Sequence, residues 1–373
     1  MKKVIFRKII FDINNFFLII LLSTSLIVWT IQAVNFLDFI SEDGHGFKVY
    51  FYYTLLNFPK IISIILPFIY FISVFYILNK YELKNELLIF WTNGITKLNF
   101  AKILVYSSLI YLVLQIILTT IIVPSSQNLA RSFIRSSSID FFPSLIKEKK
   151  FIDTVENLTI FVNEKKNNGE MSNIFLKDKI NDEKSQIIYA KTGKIISTNN
   201  KNFLVLNNGK IINIENQKTI TLGFKETQFN LSKYTTKTTT WPKIQEHKTI
   251  TLFNCIFKTI NKIQKIKDHP YLKCDSDSYK DILQEFIKRI YLPFYIPVMS
   301  LIGCFLIIKS KENIKYTSFK ILLFIIGTLF VILSQISIKY SGGSNSSLLI
   351  FFLMPVFIFY VIFNIFKSQV QKI

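Results

Sequence analysis

The chain has 373 residues, half of them hydrophobic, and a mean hydropathy of +0.36 although 18% of its residues are charged. A soluble domain rarely combines these values, so the composition favours membrane segments that alternate with polar loops. The formal net charge is +21. Because the basic residues border apolar stretches, membrane topology and anionic lipid explain this charge better than nucleic-acid binding does.

Six stretches are long and apolar enough for membrane helices, each of which needs about 20 residues. The sequence predicts them at roughly 11–38, 51–78, 99–123, 289–308, 317–339 and 347–366. Lysines and arginines precede the first stretch, follow the sixth, and fill the loops after the second and the fourth. By the positive-inside rule both termini are cytoplasmic, and residues 124–288 lie on the other side of the membrane.

Between the third and fourth stretches the pattern changes to seven short runs of alternating residues typical of β-strands. Turn residues separate the runs, as in Asn167-Asn168-Gly169, Thr192-Gly193 and Asn207-Asn208-Gly209. The last of these predicts a type I′ hairpin, because asparagine and glycine tolerate positive φ. Seven short strands with regular turns predict a sandwich or jelly roll at about 150–240, followed by a helical return path over 243–288.

The predicted fold is therefore a polytopic α-helical membrane protein with six transmembrane helices and a periplasmic β jelly roll between helices three and four. Residues 1–123 hold helices one to three, residues 124–288 the periplasmic region, and residues 289–373 helices four to six.

The three cysteines form neither a CxxC pair nor a zinc-site spacing, and the three histidines are scattered, so a metal site is not expected. Cys304 lies in an apolar run and is expected to be a packing residue. Cys255 and Cys274 share one extracytoplasmic segment and could pair, but nothing in their spacing requires a disulfide.

The loop between the second and third stretches predicts a short amphipathic cytoplasmic helix at about 80–94. Asn79 and Glu82 resemble a capping box at its start, and Gly94 suits its C′ position, after which Thr96 caps the next span. Acidic and aromatic side chains share this helix, namely Glu82, Glu86, Leu87 and Trp91. An ordinary interfacial helix is one reading. Two glutamates facing an anionic leaflet favour the other, a docking helix for a cytoplasmic partner.

The chain resembles the LptF/LptG family of lipopolysaccharide export permeases. Besides the order of spans and β domain, the matching features are Pro59, Leu66-Pro67-Phe68, Glu86 with Gly94, Pro124-Ser125, and Glu285, Arg289 and Pro293. Trp91 departs from the family, which often has arginine there. Trp29, Gln32, Leu37 and Asp38 are more similar to the LptF branch than to LptG.

The resemblance implies one half of a permease heterodimer in the bacterial inner membrane. An LptG-like permease, an LptC-like bitopic protein and an LptB-like ATPase dimer would be the partners, and lipopolysaccharide the substrate. Glu86 would sit in the ATPase groove. The chain contains no P-loop, so it is expected to be no enzyme and to need no cofactor, with ATP used by the partner.

Polar residues near the predicted outer ends of the spans are candidates for the substrate path, namely Gln32, Gln335 and Lys339. Lys339 is hypothesised to meet an anionic headgroup phosphate, and simple snorkelling to the interface is the alternative.

Two other functional classes remain as alternatives. One is a non-transporting scaffold for envelope assembly, and the other is a mechanotransmitting subunit of the efflux or division type. Such mechanotransmitting subunits usually carry the large outer domain after the first span.

Overall fold

The computed structural model describes residues 2–37, 46–137, 146, 148–155, 157–166, 169–179, 181, 184–198, 201–215, 218–231, 242–261, 272, 274, 276–338 and 345–371. The chain divides into two compact units. A helical unit comprises Met1–Thr30, Asn57–Asn128 and Pro242–Ile373, and a sheet unit comprises Ile31–Leu56 and Leu129–Trp241.

The α-helices in chain order are α1 (Lys2–Asn35), α2 (Phe47–Leu56), α3 (Phe58–Leu83), α4 (Leu88–Thr92), α5 (Lys97–Ile117), α6 (Val123–Ser137), α7 (Thr249–Asn261), α8 (Ser276–Tyr291), α9 (Tyr295–Cys304), α10 (Tyr316–Ser337) and α11 (Asn345–Gln371). A π-helical turn, Leu118–Ile122, joins α5 to α6, and short 3₁₀ turns lie at Ile244–Glu246, Leu292–Phe294 and Phe305–Ile307.

Six helical stretches among the described residues are long and apolar enough to cross a membrane. They are Lys3–Asn35, Phe47–Leu83, Lys97–Ile134, Ser278–Ile307, Tyr316–Ser337 and Leu353–Gln371. Three precede the sheet and three follow it, which confirms the predicted number and order of spans. The second and fourth stretches are interrupted at prolines, Pro59 in the first turn of α3 and Pro293 in the turn between α8 and α9. A proline removes one backbone donor, so a helix bends or restarts there.

α1 and α9 differ in how much of their surface is buried in the core of the helical unit. On α1, the buried residues Phe6, Ile9, Ile13, Phe17 and Leu21 recur every three or four positions, so a single stripe faces the core. Every residue of α9 is buried, which makes it the central helix of this unit. A helix that is apolar all round is expected at such a position.

Small residues let neighbouring helices approach α3 closely. A Cβ atom added to Gly303 on α9 would lie 3.0 Å from Cγ1 of Val74, and one added to Gly327 on α10 would overlap the ring of Phe71. Association between helices in lipid depends on such close packing.

The sheet unit contains one antiparallel sheet of six strands. They are β1 (Phe151–Val155), β2 (Leu158–Lys165), β3 (Glu170–Lys179), β4 (Lys184–Thr198), β5 (Lys201–Glu215) and β6 (Lys218–Asn230), and they pair in chain order. A jelly roll needs Greek-key connections. The described strands instead form a meander, so the jelly-roll part of the prediction is not confirmed.

Two predicted turns are wrong, because the strands run straight through them. Gly193 lies inside β4, and Asn207, Asn208 and Gly209 lie inside β5, where Thr192 pairs with Asn207. Asn208 does adopt a positive φ of 53°, but as a local irregularity in a continuing ladder. Gly193 and Gly209 are instead needed because neighbouring atoms leave no room for a side chain. A Cβ at Gly193 would lie 2.6 Å from Cδ1 of Ile174, and one at Gly209 would overlap neighbouring strands.

Of the third predicted turn, Asn167 and Asn168 lie outside the described residues. Gly169 has a φ of +79°, and β2 and β3 on either side of it pair antiparallel. One face of the sheet forms a buried core that contains Ile160, Val162, Leu176 and Leu206.

Cys255 and Cys274 form a disulfide that settles the question the sequence left open. Cys255 lies on α7, and its neighbours Leu252 and Ile256 pack against Ile282 of α8 in one hydrophobic cluster. Cys304 is fully buried in α9, as expected of a packing residue.

Candidate functional site

The predicted cytoplasmic helix at 80–94 is not one helix, and α3 continues through the expected capping box. Asn79 lies inside α3 and accepts a hydrogen bond from the Tyr316 hydroxyl at 3.2 Å. α3 ends at Leu83, where Asn85 has a φ of 60° and the Glu86 N–H donates to the Tyr81 carbonyl at 2.8 Å. Asparagine visits the left-handed region more easily than other non-glycine residues, so Asn85 terminates α3 in a Schellman-type turn.

The short helix α4 then ends as the sequence predicts. Gly94 has a φ of +68°, and the Ile95 N–H donates to the Phe90 carbonyl at 3.1 Å. The Thr96 hydroxyl next accepts the Asn99 N–H at 3.2 Å and caps α5. Residues 82–94 therefore form a compact segment with two defined ends, which we call the coupling segment.

Glu82 contacts the rest of the helical unit. Its carboxylate accepts the Lys311 backbone N–H at 2.8 Å, and the Lys311 ammonium donates to the Leu83 carbonyl at 3.1 Å. The Lys97 ammonium, at the start of α5, donates to the Ile308 carbonyl at 3.2 Å. These contacts join the coupling segment to the loop between the fourth and fifth spans.

Leu87 and Phe90 pack into the core of the helical unit and hold the coupling segment there. Each residue is only 1% exposed. The Trp91 ring lies 5.6 Å from the Phe100 ring and is half-buried. The Leu87 side chain belongs to the core of the helical unit, and its expected contact role stays a prediction.

The outward side of the coupling segment carries large apolar side chains next to exposed polar ones, Lys84 and Asn85. Leu83, Leu88 and Ile89 are each about half exposed, and Glu86 is partly exposed beside them. We call these four side chains the docking surface. Large apolar side chains exposed at a rigid helix end are typical of a contact site for another protein.

The predicted substrate-path residues lie at separate places. Gln32 is half-buried near the end of α1 and belongs to the sheet unit, and Gln335 is half-buried on α10 in the helical unit. Lys339 lies outside the described residues.

Arg289 is the residue whose role the sequence reasoning missed. Its guanidinium is 3% exposed and donates to the His247 carbonyl at 2.8 Å, the Gln245 carbonyl at 2.9 Å and the Glu285 carboxylate at 3.1 Å. It also donates to the Thr249 hydroxyl at 3.0 Å. Arg289 therefore fastens residues 245–249, which follow the sheet in the chain, to the end of α8.

The π-helical turn after α5 joins the same network. The Thr119 hydroxyl donates to the Arg289 carbonyl at 2.8 Å, and the Thr249 hydroxyl donates to the Thr120 carbonyl at 2.6 Å. A π-helical turn leaves carbonyls without the usual α-helical partners, and these hydroxyls contact that region. The spacing of Glu285 and Arg289, one helical turn apart on α8, was the only signal of this network in the sequence.

The sheet carries an amphipathic hollow on the side of its aromatic residues. Phe151, Phe161, Phe175 and Tyr189 are direct cross-strand neighbours from β1 to β4. Successive ring centroids lie 4.7 Å apart for the first pair and 5.2 Å for the last. A cavity of about 630 Å³ is lined by these rings together with Lys191 and Lys210. Apolar rings with ammonium groups beside them suit a ligand that has both a hydrophobic part and an anionic group.

These features define a multi-pass membrane protein with a β domain inserted after its third span. The family model described as "Lipopolysaccharide export system permease LptF/LptG" matches residues 7–367, and the chain belongs to that family. The description covers both branches, so the match does not separate LptF from LptG.

One relative comes from Rickettsia prowazekii (strain Madrid E) and is named uncharacterized protein RP871. The two sequences are 27% identical over 208 residues, which cover 55% of this chain and 57% of that protein. The match thus spans little more than half the length of this curated relative.

Proposed function

We propose that the chain is the permease subunit of an ABC-type lipopolysaccharide export complex, of the LptF branch. In this proposal it takes lipopolysaccharide from the outer leaflet of the inner membrane and passes it to a periplasmic β bridge. The family match supports the substrate. The observation that carries the mechanism is the docking surface, an exposed apolar patch on a segment that is hydrogen-bonded to the loop between the fourth and fifth spans.

The proposed orientation has both termini in the cytoplasm and residues 124–288 in the periplasm. The distribution of lysine and arginine supports it. The Cys255–Cys274 disulfide supports it independently, because disulfides persist in oxidising compartments and are rare in the cytosol. The charge distribution and the disulfide thus support the same side of the membrane for residues 124–288.

The power stroke comes from a partner, an LptB-like ATPase dimer that consumes ATP and seats against the docking surface. This chain then needs no ATPase site or cofactor of its own. α3 is assigned as one helix from Phe58 to Leu83, so a push on the coupling segment moves this part of the second span. The Glu82–Lys311 contact carries the same movement to the loop before α10. Packed elements joined in this way shift as rigid bodies.

The sheet unit offers the extracted lipid a second apolar environment. Each acyl CH₂ that leaves hydrocarbon loses about 0.8 kcal/mol of burial, so transfer requires a receiving groove. The aromatic hollow with Lys191 and Lys210 matches a phosphorylated lipid in polarity. β6, an edge of the described sheet, exposes Ile220 and Leu222, and we propose that it pairs with the neighbouring bridge domain of an LptC-like partner.

An LptG-like permease completes the proposed heterodimer. Gln32, Gln335 and Lys339 stay proposed contacts along the substrate path, with Lys339 opposite a headgroup phosphate.

Co-purification tests the proposal. Tagged protein is isolated in mild detergent, and we expect an ATPase and a second six-span homologue to accompany it. Leu88→Glu with Ile89→Glu should weaken ATPase retention at least about tenfold, because each buried leucine-sized side chain contributes about 1.5–3 kcal/mol and 1.4 kcal/mol is tenfold. The second permease should be retained, which shows that the variant is folded.

The matched control is Gln371→Glu, which adds an acidic group at the exposed end of α11 on the same side of the membrane. It should keep the ATPase. Isolation without any ATPase, or full retention by the double variant, would refute the coupling mechanism and favour a non-transporting scaffold.

A further inference from the structure

A second cleft lies in the helical unit, between the first turns of α1 and the first turns of α5. Its volume is about 840 Å³. The walls combine two kinds of side chain. Phe6, Ile10 and Phe11 of α1 and Ile103 and Tyr106 of α5 make it apolar, while Lys3, Arg7 and Lys102 place three cations at it.

The three cations have no ion-pair partner within the described part of the chain. All three side chains are exposed. Arg7 lies one helical turn after Lys3, so both point to the same side of α1, and Lys102 faces them from α5. Three like charges around one cleft repel each other unless an anion lies between them.

The apolar wall continues away from the cations. Phe11 is 65% exposed and Tyr106 is 68% exposed, and each lies about one turn further along its helix than Arg7 or Lys102. A small soluble anion would gain no binding energy from these apolar side chains. A molecule with an anionic head and a hydrocarbon tail satisfies both parts of the cleft.

We propose that this cleft is a binding site for a bilayer phospholipid with an anionic headgroup. Lys3, Arg7 and Lys102 hold the phosphate, and one acyl chain lies along Phe11, Ile103 and Tyr106. Basic pockets between transmembrane helices on the cytoplasmic side recognise lipid headgroups by this chemistry. The choice of the cytoplasmic leaflet rests on the proposed orientation, whereas the site itself does not.

The position of the cleft gives the lipid a consequence for the coupling segment. Gly94 and Ile95, which end that segment, line the same cleft, and Asn99 at the start of α5 lines it too. A lipid seated there contacts α1 and the end of the coupling segment at once. It therefore holds the docking surface against the first span while the partner pushes on it.

Native mass spectrometry of the purified full-length protein tests the site without ATPase or lipopolysaccharide. The probes are phosphatidylglycerol and phosphatidylcholine of identical acyl chains. We expect phosphatidylglycerol to bind at least fivefold more tightly. In Arg7→Gln with Lys102→Gln its affinity should fall about twenty-fivefold, since each basic residue beside an anionic lipid strengthens binding roughly fivefold.

The matched control is Lys8→Gln with Lys367→Gln, which removes two exposed cations that do not line the cleft. It should keep the affinity of the unaltered protein. Equal loss in the control, equal affinity for the two lipids, or displacement of lipid by sn-glycerol 3-phosphate at matched concentration would each overturn the proposal. Because all positions are exposed, both variants should melt and elute like the parent, and these readings verify the fold. Failure of ATPase co-purification would leave this assay unaffected.

Discussion

Replacing Arg289 should destabilise the helical unit more than any exposed substitution nearby. Arg289→Met keeps much of the side-chain length but removes the guanidinium, which donates to Glu285, Thr249 and two backbone carbonyls. It leaves Glu285, 17% exposed, without its arginine, and the His247 and Gln245 carbonyls without this donor. Removing one partner of a buried charge network costs about 3–5 kcal/mol.

Thermal unfolding in detergent, followed by tryptophan fluorescence, measures this loss. At roughly 2–4 °C per kcal/mol for a unit of this size, the midpoint should fall by about 10 °C. Lys288→Met is the matched control. Lys288 pairs with the same Glu285 at 3.6 Å, but its side chain is 44% exposed, so its ion pair contributes about 0–1 kcal/mol. The midpoint of that variant should move by no more than about 2 °C.

Arg289→Lys distinguishes charge from geometry. Lysine restores the positive charge but cannot donate in a fixed fork to several acceptors at once. Its midpoint should lie between those of the parent and Arg289→Met. If Arg289→Met and Lys288→Met had the same melting midpoint, the role of Arg289 in fastening residues 245–249 to α8 would be refuted.

Two further changes test the other close contacts. Cys255→Ser with Cys274→Ser opens a loop with a sequence separation of 19 residues and should remove about 3 kcal/mol, seen as a lower melting midpoint that reducing agent does not lower further. Gly209→Ala should lower the yield of folded protein and its protease resistance, because the new Cβ overlaps a β4 carbonyl and a β6 ring, at a cost of about 1–3 kcal/mol or more. Gly223→Ala, which meets nothing within 4 Å, should be tolerated, and equal behaviour of the two alanine variants would contradict the packing argument.

In and beside the coupling segment, some helix ends follow from neighbouring residues, whereas other features depend on residues far along the chain. The end of α4 at Gly94 and the cap at Thr96 follow from the sequence, because glycine and threonine satisfy helix termini with their own backbone and side chain. The end of α3 at Asn85 does not follow, since Glu82 and Glu86 fit a longer helix equally well. Glu82 also bonds to Lys311, far along the chain, and no local pattern encodes such a contact.

The β-strands show the same division. Alternating hydrophobicity correctly placed a sheet after the third span, because strand periodicity is a local property. The Asn-Gly pair in β5 predicts a hairpin, because that pair favours positive φ wherever it occurs. Cross-strand pairing on both sides of Gly209 kept the strand straight, and only the neighbouring strands could supply those bonds.

The amino-acid sequence alone predicts six membrane-length helices, their order around a sheet, and the charge asymmetry that supports the proposed orientation. The backbone hydrogen bonds of a membrane helix are made within that helix, so the sequence pattern of a span lies in consecutive residues. The tertiary structure sets which side chains are exposed and which are buried or bonded to distant residues. It buried Leu87, exposed Leu88 and Ile89, joined Cys255 to Cys274, and made Arg289 the centre of a network. Burial and hydrogen bonding between distant segments depend on how helices meet, and a linear pattern does not contain that information.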